Sequence, residues 1–261
     1  MVSREAQAAA KAGTAPSFYS QELMDGLIGY MIGGHDSTTS TLCFMVKRLG
    51  VHQEIQQKLR QDLYEAYPEL YKASQQPTVD NIIKTDIPYL DAFIQEVLRG
   101  DPPSPITARQ AACDMNILGH IVPKGTPLFF APQGPTFTEK GFGVPDELRS
   151  ETSVKHGALT DWANTEFPPE EFRPERWLTT GGDGEAVYDG ARGPFFAFAA
   201  GNRGCWGQKL AYLELKLITT LIVWNFDFEE IPAELHEWEV HDEAIFAQPR
   251  NTIVKIKSLW S

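Results

Sequence analysis

Three cysteines in 261 residues leave little scope for covalent stapling. Cys43, Cys113 and Cys205 are scattered and no Cys-x-x-Cys occurs, which excludes a disulfide framework and a thiolate zinc site. A reducing compartment suits such a chain. Positive charge is also scarce, with 23 Lys and Arg against 35 Asp and Glu, for a net charge of −12. Phosphate backbones call for clustered basic side chains, so nucleic acid is not the expected partner. No stretch approaches the roughly 20 apolar residues that cross a bilayer. The most apolar piece, Leu213 to Trp224, is broken by Glu214, Lys216, Thr219 and Thr220. Residues 1–18 lack the apolar core of a signal peptide and read as an Ala-rich linker or frayed helix. A chain so built carries no anchor and is expected in the cytoplasm. Also missing are a Gly-rich phosphate loop, a Gly-x-Ser-x-Gly elbow, a His pair at metal spacing, and any flavin or nicotinamide site.

What remains is ordinary globular composition, 42% hydrophobic and 22% charged, long enough to bury a sizeable core. The periodicity predicts mainly α structure with small β hairpins, an α+β fold. Ser20 caps a long helix through Leu23, Leu27, Tyr30, Met31, Leu42, Val46 and Leu49, closed by Gly50. Within it, Gly33-Gly34-His35-Asp36-Ser37-Thr38-Thr39 is poor helix material and predicts a kinked interruption beside a ligand, or an idle solvated kink. His52 to Tyr67 forms a second helix with Ile55, Leu59 and Leu63 on one stripe. Gln75 to Lys84 reads as connection, with Thr78 as a cap. Pro88 opens a helix to Arg99, on which Glu96 and Arg99 share a face. An exposed pair of this kind is common and worth little.

Asp101-Pro102-Pro103-Ser104-Pro105 must be extended, with Arg109 on a strand after it. Asn116 to Val122 turns at Gly119-His120, and Leu128 to Ala131 pairs beyond the next turn. Gln133 to Phe167 is irregular, and Gly181 to Gly190 reads as a flexible loop. Short strands are expected at Phe226 to Phe228 and at Thr252 to Ile256.

One decapeptide organises the rest: Phe198-Ala199-Ala200-Gly201-Asn202-Arg203-Gly204-Cys205-Trp206-Gly207, followed at once by the amphipathic run to Trp224. Most lone cysteines are buried and inert. Here small residues pinch a loop shut and the thiol opens a helix, whose partial positive charge favours a thiolate. A thiolate there, with glycines that let something flat approach the backbone, is what an axial ligand to haem iron requires.

Four pieces now agree in content and order. Phe198, Gly201, Arg203, Cys205 and Gly207 match the haem-ligating loop of the cytochrome P-450 family. Glu96-Val97-Leu98-Arg99 looks like its Glu-x-x-Arg helix, Phe172 to Trp177 resembles its Pro-Glu-Arg-Phe box, and Gly33 to Thr38 resembles its oxygen-activating turn. The chain resembles fungal members most. The resemblance covers nearly all of this chain but about half of the family's domain, so a partial domain over 19–261 is expected, from the oxygen-side helix onward. Two departures stand out: Gly100-Asp101, where the family more often has Leu and an aromatic residue or His, and Ser37 in place of threonine.

The resemblance implies a haem-thiolate monooxygenase that inserts one oxygen atom from dioxygen into an apolar small molecule, in secondary metabolism. Cys205 becomes the iron ligand, Arg203 and Arg109 the partners of the haem propionates, and Phe198 and Gly201 the loop's contacts with haem. Asp36, Ser37 and Thr38 become the proton route. Arg176 joins Glu96 and Arg99 in a buried triad, and Ile106, Thr107, Ile245 and Phe246 line the pocket. Electrons come from a separate NADPH-dependent cytochrome P-450 reductase or from cytochrome b5, on the cytosolic face of the endoplasmic reticulum for a full-length relative. Two other readings stay open: a truncated, catalytically inactive product, and a haem-thiolate isomerase or dehydratase.

Overall fold

A computed structural model describes residues 2–117, 119–132, 134, 139, 145–155, 167–236, 240 and 246–260. It begins with helix α1 (Val2–Ala12), whose Glu5 carboxylate accepts from the Ser17 N–H at 3.1 Å. Helix α2 (Gln21–Val51) follows, its first turn capped by Ser20, whose hydroxyl accepts from the Leu23 N–H. It runs unbroken through 33–39, against the expected interruption. Its hydroxyl side chains turn back onto the helix itself: Ser37 Oγ donates to the Gly33 carbonyl at 2.6 Å, and Thr41 Oγ1 to the Ser37 carbonyl at 3.1 Å. A residue that satisfies its own hydroxyl in this way need not break the ladder.

Three helices complete the first half: α3 (Gln53–Ala66), α4 (Pro68–Lys72) and α5 (Val79–Lys84). The last corrects the reading of 75–84 as plain connection. Thr78 and Asn81 form a reciprocal capping box there, enough to start a short helix. Helix α6 (Pro88–Gly100) starts at Pro88 and is buried almost throughout. Within 133–167, expected to be irregular, the described residues include a 3-10 helix (Asp146–Leu148) and helix α7 (Glu151–Lys155), and α8 (Gln208–Asn225) is the long helix after the cysteine loop.

Strands occur as four separate antiparallel pairs. Strand β1 (Thr107–Gln110) pairs with β4 (Pro127–Phe130), and β2 (Met115–Ile117) with β3 (His120–Val122). Strand β5 (Leu178–Thr180) pairs with β6 (Ala186–Tyr188), which places a hairpin where 181–190 was expected to be loose. Gly184, at φ +88°, makes its turn, and the Asp189 N–H closes on the Trp177 carbonyl at 2.8 Å. Strand β7 (Phe226–Phe228) lies where expected. Its partner β8 (Ile256–Ser258) starts four residues later than the Thr252 expected from composition, in register Phe226↔Ser258.

The core sits where α2, α3, α6 and α8 meet, around Phe44, Leu49, Leu59, Leu63, Phe93, Val97 and Trp224. The two halves of α2 differ. From Ser40 onward most residues are buried or half-buried, whereas Met24, Leu27, Ile28, Tyr30, Met31 and Ile32 are exposed. No helix among the described residues is long and apolar enough to cross a membrane.

Candidate functional site

The cysteine loop is shaped by its own main chain. Ala199 and Gly201 both adopt positive φ, +54° and +68°, and residues 201–203 form a single 3-10 turn. The Gly204 N–H then donates to the Gly201 carbonyl at 3.0 Å, and the Cys205 N–H donates to the Phe198 carbonyl at 2.8 Å. Left-handed backbone costs glycine nothing, so Gly201 is chosen for the turn and Ala199 carries mild strain. The outcome is a closed loop that presents an exposed free thiol. Cys205 does not itself open the helix, as expected from sequence. The helix α8 begins at Gln208, with Gly207 as its N-cap residue, and Cys205 occupies the turn before it.

Phe198 is half-buried, its ring 5.2 Å from Tyr212 of α8 and 6.1 Å from Phe195. Tyr212 in turn hydrogen-bonds Gln95 of α6 and interacts with the Tyr188 hydroxyl, and burial pushes both phenols up, that of Tyr188 to about 12. Arg203 is exposed on the loop. Arg109 lies half-exposed on β1, with Nη1 donating to the Ala108 carbonyl at 2.8 Å.

On α2, Asp36 Oδ1 lies 2.8 Å from His35 Nδ1, with the His35 side chain exposed and that of Asp36 half-exposed. The Ser37 hydroxyl points back along the helix, and Thr38 Oγ1 lies 3.4 Å from Glu214 Oε2 of α8. Asp36, Ser37 and Thr38 are all half-buried, and Thr38 faces the neighbouring helix. His35 and Glu214 were not singled out from sequence. Nothing in the local pattern marks His35 as Asp36's partner, and Glu214 sits far along the chain.

The Glu96 site is the most densely hydrogen-bonded of the four. The carboxylate has no exposed surface and accepts from Arg99 Nε and Nη2, both at 2.8 Å. It also accepts from Trp177 Nε1 at 2.8 Å and the Arg173 N–H at 2.9 Å, with Arg176 Nε at 3.6 Å. Arg176 spends its remaining donors on the carbonyls of Phe167, Pro168 and Glu171. Burial pulls its guanidinium below the ordinary value, against the pull of Glu96. The triad is therefore buried as expected. Trp177 is the member that sequence did not assign.

The Asp101 departure also finds its partner. Arg48 of α2 clamps Asp101 bidentately, at 2.9 and 3.1 Å, and lies over the Phe172 ring at 4.5 Å. Near the proposed pocket, Ile106 is exposed and Thr107 begins β1. Phe246 is half-buried, beside Ala247, whose N–H donates to the Pro103 carbonyl and whose carbonyl accepts from Ser40. Ile245 lies outside the described residues.

The donors present fit a haem. Cys205 offers an exposed thiol on the closed loop, and among the described residues no group of His, Cys, Asp and Glu could hold a bare metal ion. Such a set suits an iron that brings its own ring nitrogens and asks for one axial sulfur. A Cβ built on Gly33, Gly34 or Gly201 would meet nothing within 4 Å, so each of these backbones faces open space. Burial pushes the Cys43 thiol up, which disfavours its thiolate.

Comparison with known proteins agrees. The sequence profile described as cytochrome P-450 matches residues 2–149 and 163–256. A cytochrome P-450 monooxygenase of the Hps1-dma1 cluster of Dothistroma septosporum is 38% identical over 247 residues, covering 90% of this chain and 78% of that protein. Monooxygenases of Fusarium sporotrichioides and Penicillium rubens are 31% and 34% identical, covering 98% and 92% of this chain. The chain spans 45% and 41% of the length of those two relatives. Matched along most of its length, and carrying the cysteine loop and Glu96 network just described, the chain belongs to the cytochrome P-450 family of haem-thiolate enzymes.

Proposed function

We propose that this chain supplies the oxygen-side helix and the thiolate loop of a monooxygenase. The reaction inserts one atom of dioxygen into an apolar small molecule, and the other leaves as water. The loop at 198–207 carries the reading, because it holds a free, exposed thiol on a turn fixed by the Phe198 carbonyl. When bound, haem would supply a redox-active iron, and a thiolate ligand from Cys205 would favour O–O cleavage more than histidine does.

Each residue then has a task. Cys205 holds the iron, and Phe198 packs beside the sulfur while Gly201 leaves the approach clear. Arg203 and Arg109 hold the propionates, since a guanidinium matches a carboxylate with two parallel hydrogen bonds. Asp36, paired with His35 and open to water, takes protons from solvent and passes them toward the Ser37 hydroxyl. Serine lacks the methyl that restrains threonine, so its hydroxyl turns away from the Gly33 carbonyl more readily. Thr38, whose hydroxyl lies 3.4 Å from Glu214, is the last hydroxyl of that route, on the side of α8.

Electrons come from a separate NADPH-dependent reductase or cytochrome b5, for which exposed Arg203 and Lys209 form part of a docking face. Ile106, Thr107 and Phe246 form part of the wall for an apolar substrate. Similarity to fungal monooxygenases, one of them named for a gene cluster, supports a setting in secondary metabolism, and the site proposed for the whole protein is the cytosolic face of the endoplasmic reticulum.

The test is spectroscopic. The chain is produced with haem supply, reduced and exposed to carbon monoxide, and the thiolate-type absorption band is expected. Cys205→Ser should abolish that band, and an unchanged spectrum would overturn the assignment. Product formation that needs NADPH and reductase supports oxygenation. Turnover of a peroxide without them would point instead to an isomerase or dehydratase.

A further inference from the structure

A cavity of about 480 Å³ opens between α6, the β5–β6 hairpin and the first turns of α8, lined by Asp91, Gln95, Tyr188, Phe195, Gln208 and Tyr212. None of these side chains has a task in the proposed oxygenation. Gln95 is only 2% exposed, yet half of its amide is idle. Its Oε1 accepts from the Tyr212 hydroxyl, while its Nε2 donors meet no acceptor among the described residues. Idle donors on a buried amide cost stability until something from outside completes them. Asp91 lies one turn before Gln95, on the same face of α6. Its carboxylate meets the Lys216 ammonium of α8 at 3.5 Å and no other donor among the described residues. Burial raises its pKa against the pull of Lys216, the mark of a carboxylate short of hydrogen bonds. Gly190 keeps the space clear, since a Cβ there would lie 2.7 Å from the Tyr188 hydroxyl and 3.7 Å from Gln95 Nε2.

The cavity thus holds a spare acceptor and a spare donor, with the rings of Phe195 and Tyr188 beside them. Its charges narrow the ligand further. An anion would be repelled by Asp91 and a cation by Lys216, which already balance each other. Of the other carboxylates, Asp86 is exposed and screened by water, and Asp189 spends Oδ1 on the Ala191 N–H. We propose that this cavity binds a small, neutral, ring-bearing molecule with an amide-like edge. The ligand N–H donates to Asp91, its carbonyl accepts from Gln95 Nε2, and its ring packs against Phe195 and Tyr188. The site backs onto the cysteine loop through Tyr212, whose ring lies 5.2 Å from that of Phe198. None of these contacts depends on Cys205 holding haem.

Saturation-transfer NMR and calorimetry measure the binding of three probes of one shape, benzamide, benzylamine and benzoate, to the chain produced with haem supply. Benzamide should bind with a Kd of about 1 mM, and the two ions at least about tenfold more weakly. Gln95→Met removes the idle donors and should weaken benzamide about tenfold. Two further variants test the charge balance. Lys216→Met strips Asp91 of its counter-charge, so benzylamine should become the preferred probe. Asp91→Asn leaves Lys216 alone, so benzoate should. A merely structural role for the pair would not exchange the preference in this way. Far-UV circular dichroism checks that every variant is folded. Absence of benzamide binding means that water alone fills the cavity, and overturns the proposal. Benzamide binding that neither Gln95→Met nor Asp91→Asn alters lies elsewhere on the chain, and overturns it too. A wild type that prefers either ion rules out the neutral ligand.

Discussion

Trp177 donates its indole N–H to Glu96 Oε2 at 2.8 Å, across 81 residues of sequence and with no exposed surface on either side chain. The bond joins the 3-10 turn Pro174–Trp177 to α6 at the point where Arg99 and Arg176 also converge. One carboxylate therefore balances two guanidiniums and an indole in a dry environment. Buried charge of this kind is tolerated only while every partner is present.

Replacing Glu96 by Gln keeps the shape and removes the charge. Arg99 and Arg176 then lie buried without compensation, and the loss of stability should be about 3–5 kcal/mol. Trp177→Phe strands one acceptor position and should cost less, about 1–3 kcal/mol. Urea unfolding monitored by circular dichroism measures both. A Glu96→Gln loss below about 1 kcal/mol would contradict the picture.

Arg48 and Asp101 form the second such pair, tying the end of α2 to the end of α6, with side-chain exposures of 13% and 7%. Asp101→Asn should cost about 3 kcal/mol, because Arg48 is left facing a neutral partner. Arg48→Met with Asp101→Leu should recover much of that loss, since no lone charge remains. A double variant as unstable as Asp101→Asn would show that the pair does more than neutralise itself.

His52 stacks on Phe172 at 5.1 Å, and burial, then Arg48, pull its pKa below the ordinary histidine value. The folded chain therefore resists the proton that the unfolded chain takes up near pH 6.5. Stability from this group is present above pH 6.5 and falls as the pH drops below it, levelling at the lower folded value. Unfolding free energies at pH 7.5 and 5.5 should differ more for the wild type than for His52→Phe. Equal differences would remove His52 as the cause.

Gly50 leaves no room for a side chain. A Cβ there would lie 2.6 Å from Ile231 Cγ1 and 2.7 Å from its Cδ1, and Ile231 is buried. Gly50→Ala should cost about 1–3 kcal/mol by overpacking. Combined with Ile231→Ala it should cost less than the two changes summed, since the second removes the clash. Thermal unfolding of the four-member cycle reads the coupling, and strict additivity would refute it.

Much of this was legible because local rules agreed. Ser20, Leu59, Leu63 and Pro88 announced α2, α3 and α6 through capping, period and N-terminal proline. The cysteine loop was legible because its glycines and its thiol serve one purpose. Where reading failed, a non-local partner or a self-satisfied side chain decided the matter. Ser37 and Thr41 folded their hydroxyls onto their own helix, so the expected break did not form. Residues 178–188 paired as a hairpin anchored to Trp177, which composition alone could not announce. Glu96's indole partner and Asp101's arginine lie 81 and 53 residues away, beyond any spacing rule.

The uneven burial of α2 sets how its amide protons exchange with solvent. Its early turns contribute Leu23 to the core but leave Met24, Leu27 and Met31 in water, so those turns open at small free-energy cost. Beyond Ser40, whose hydroxyl holds the Ala247 carbonyl, Phe44, Met45 and Leu49 are sealed in the core, and their amides exchange only when the whole unit unfolds. One continuous ladder of hydrogen bonds thus contains two exchange regimes that meet near Ser40. The segment proposed to carry protons, Asp36 to Thr38, lies just on the labile side of that boundary.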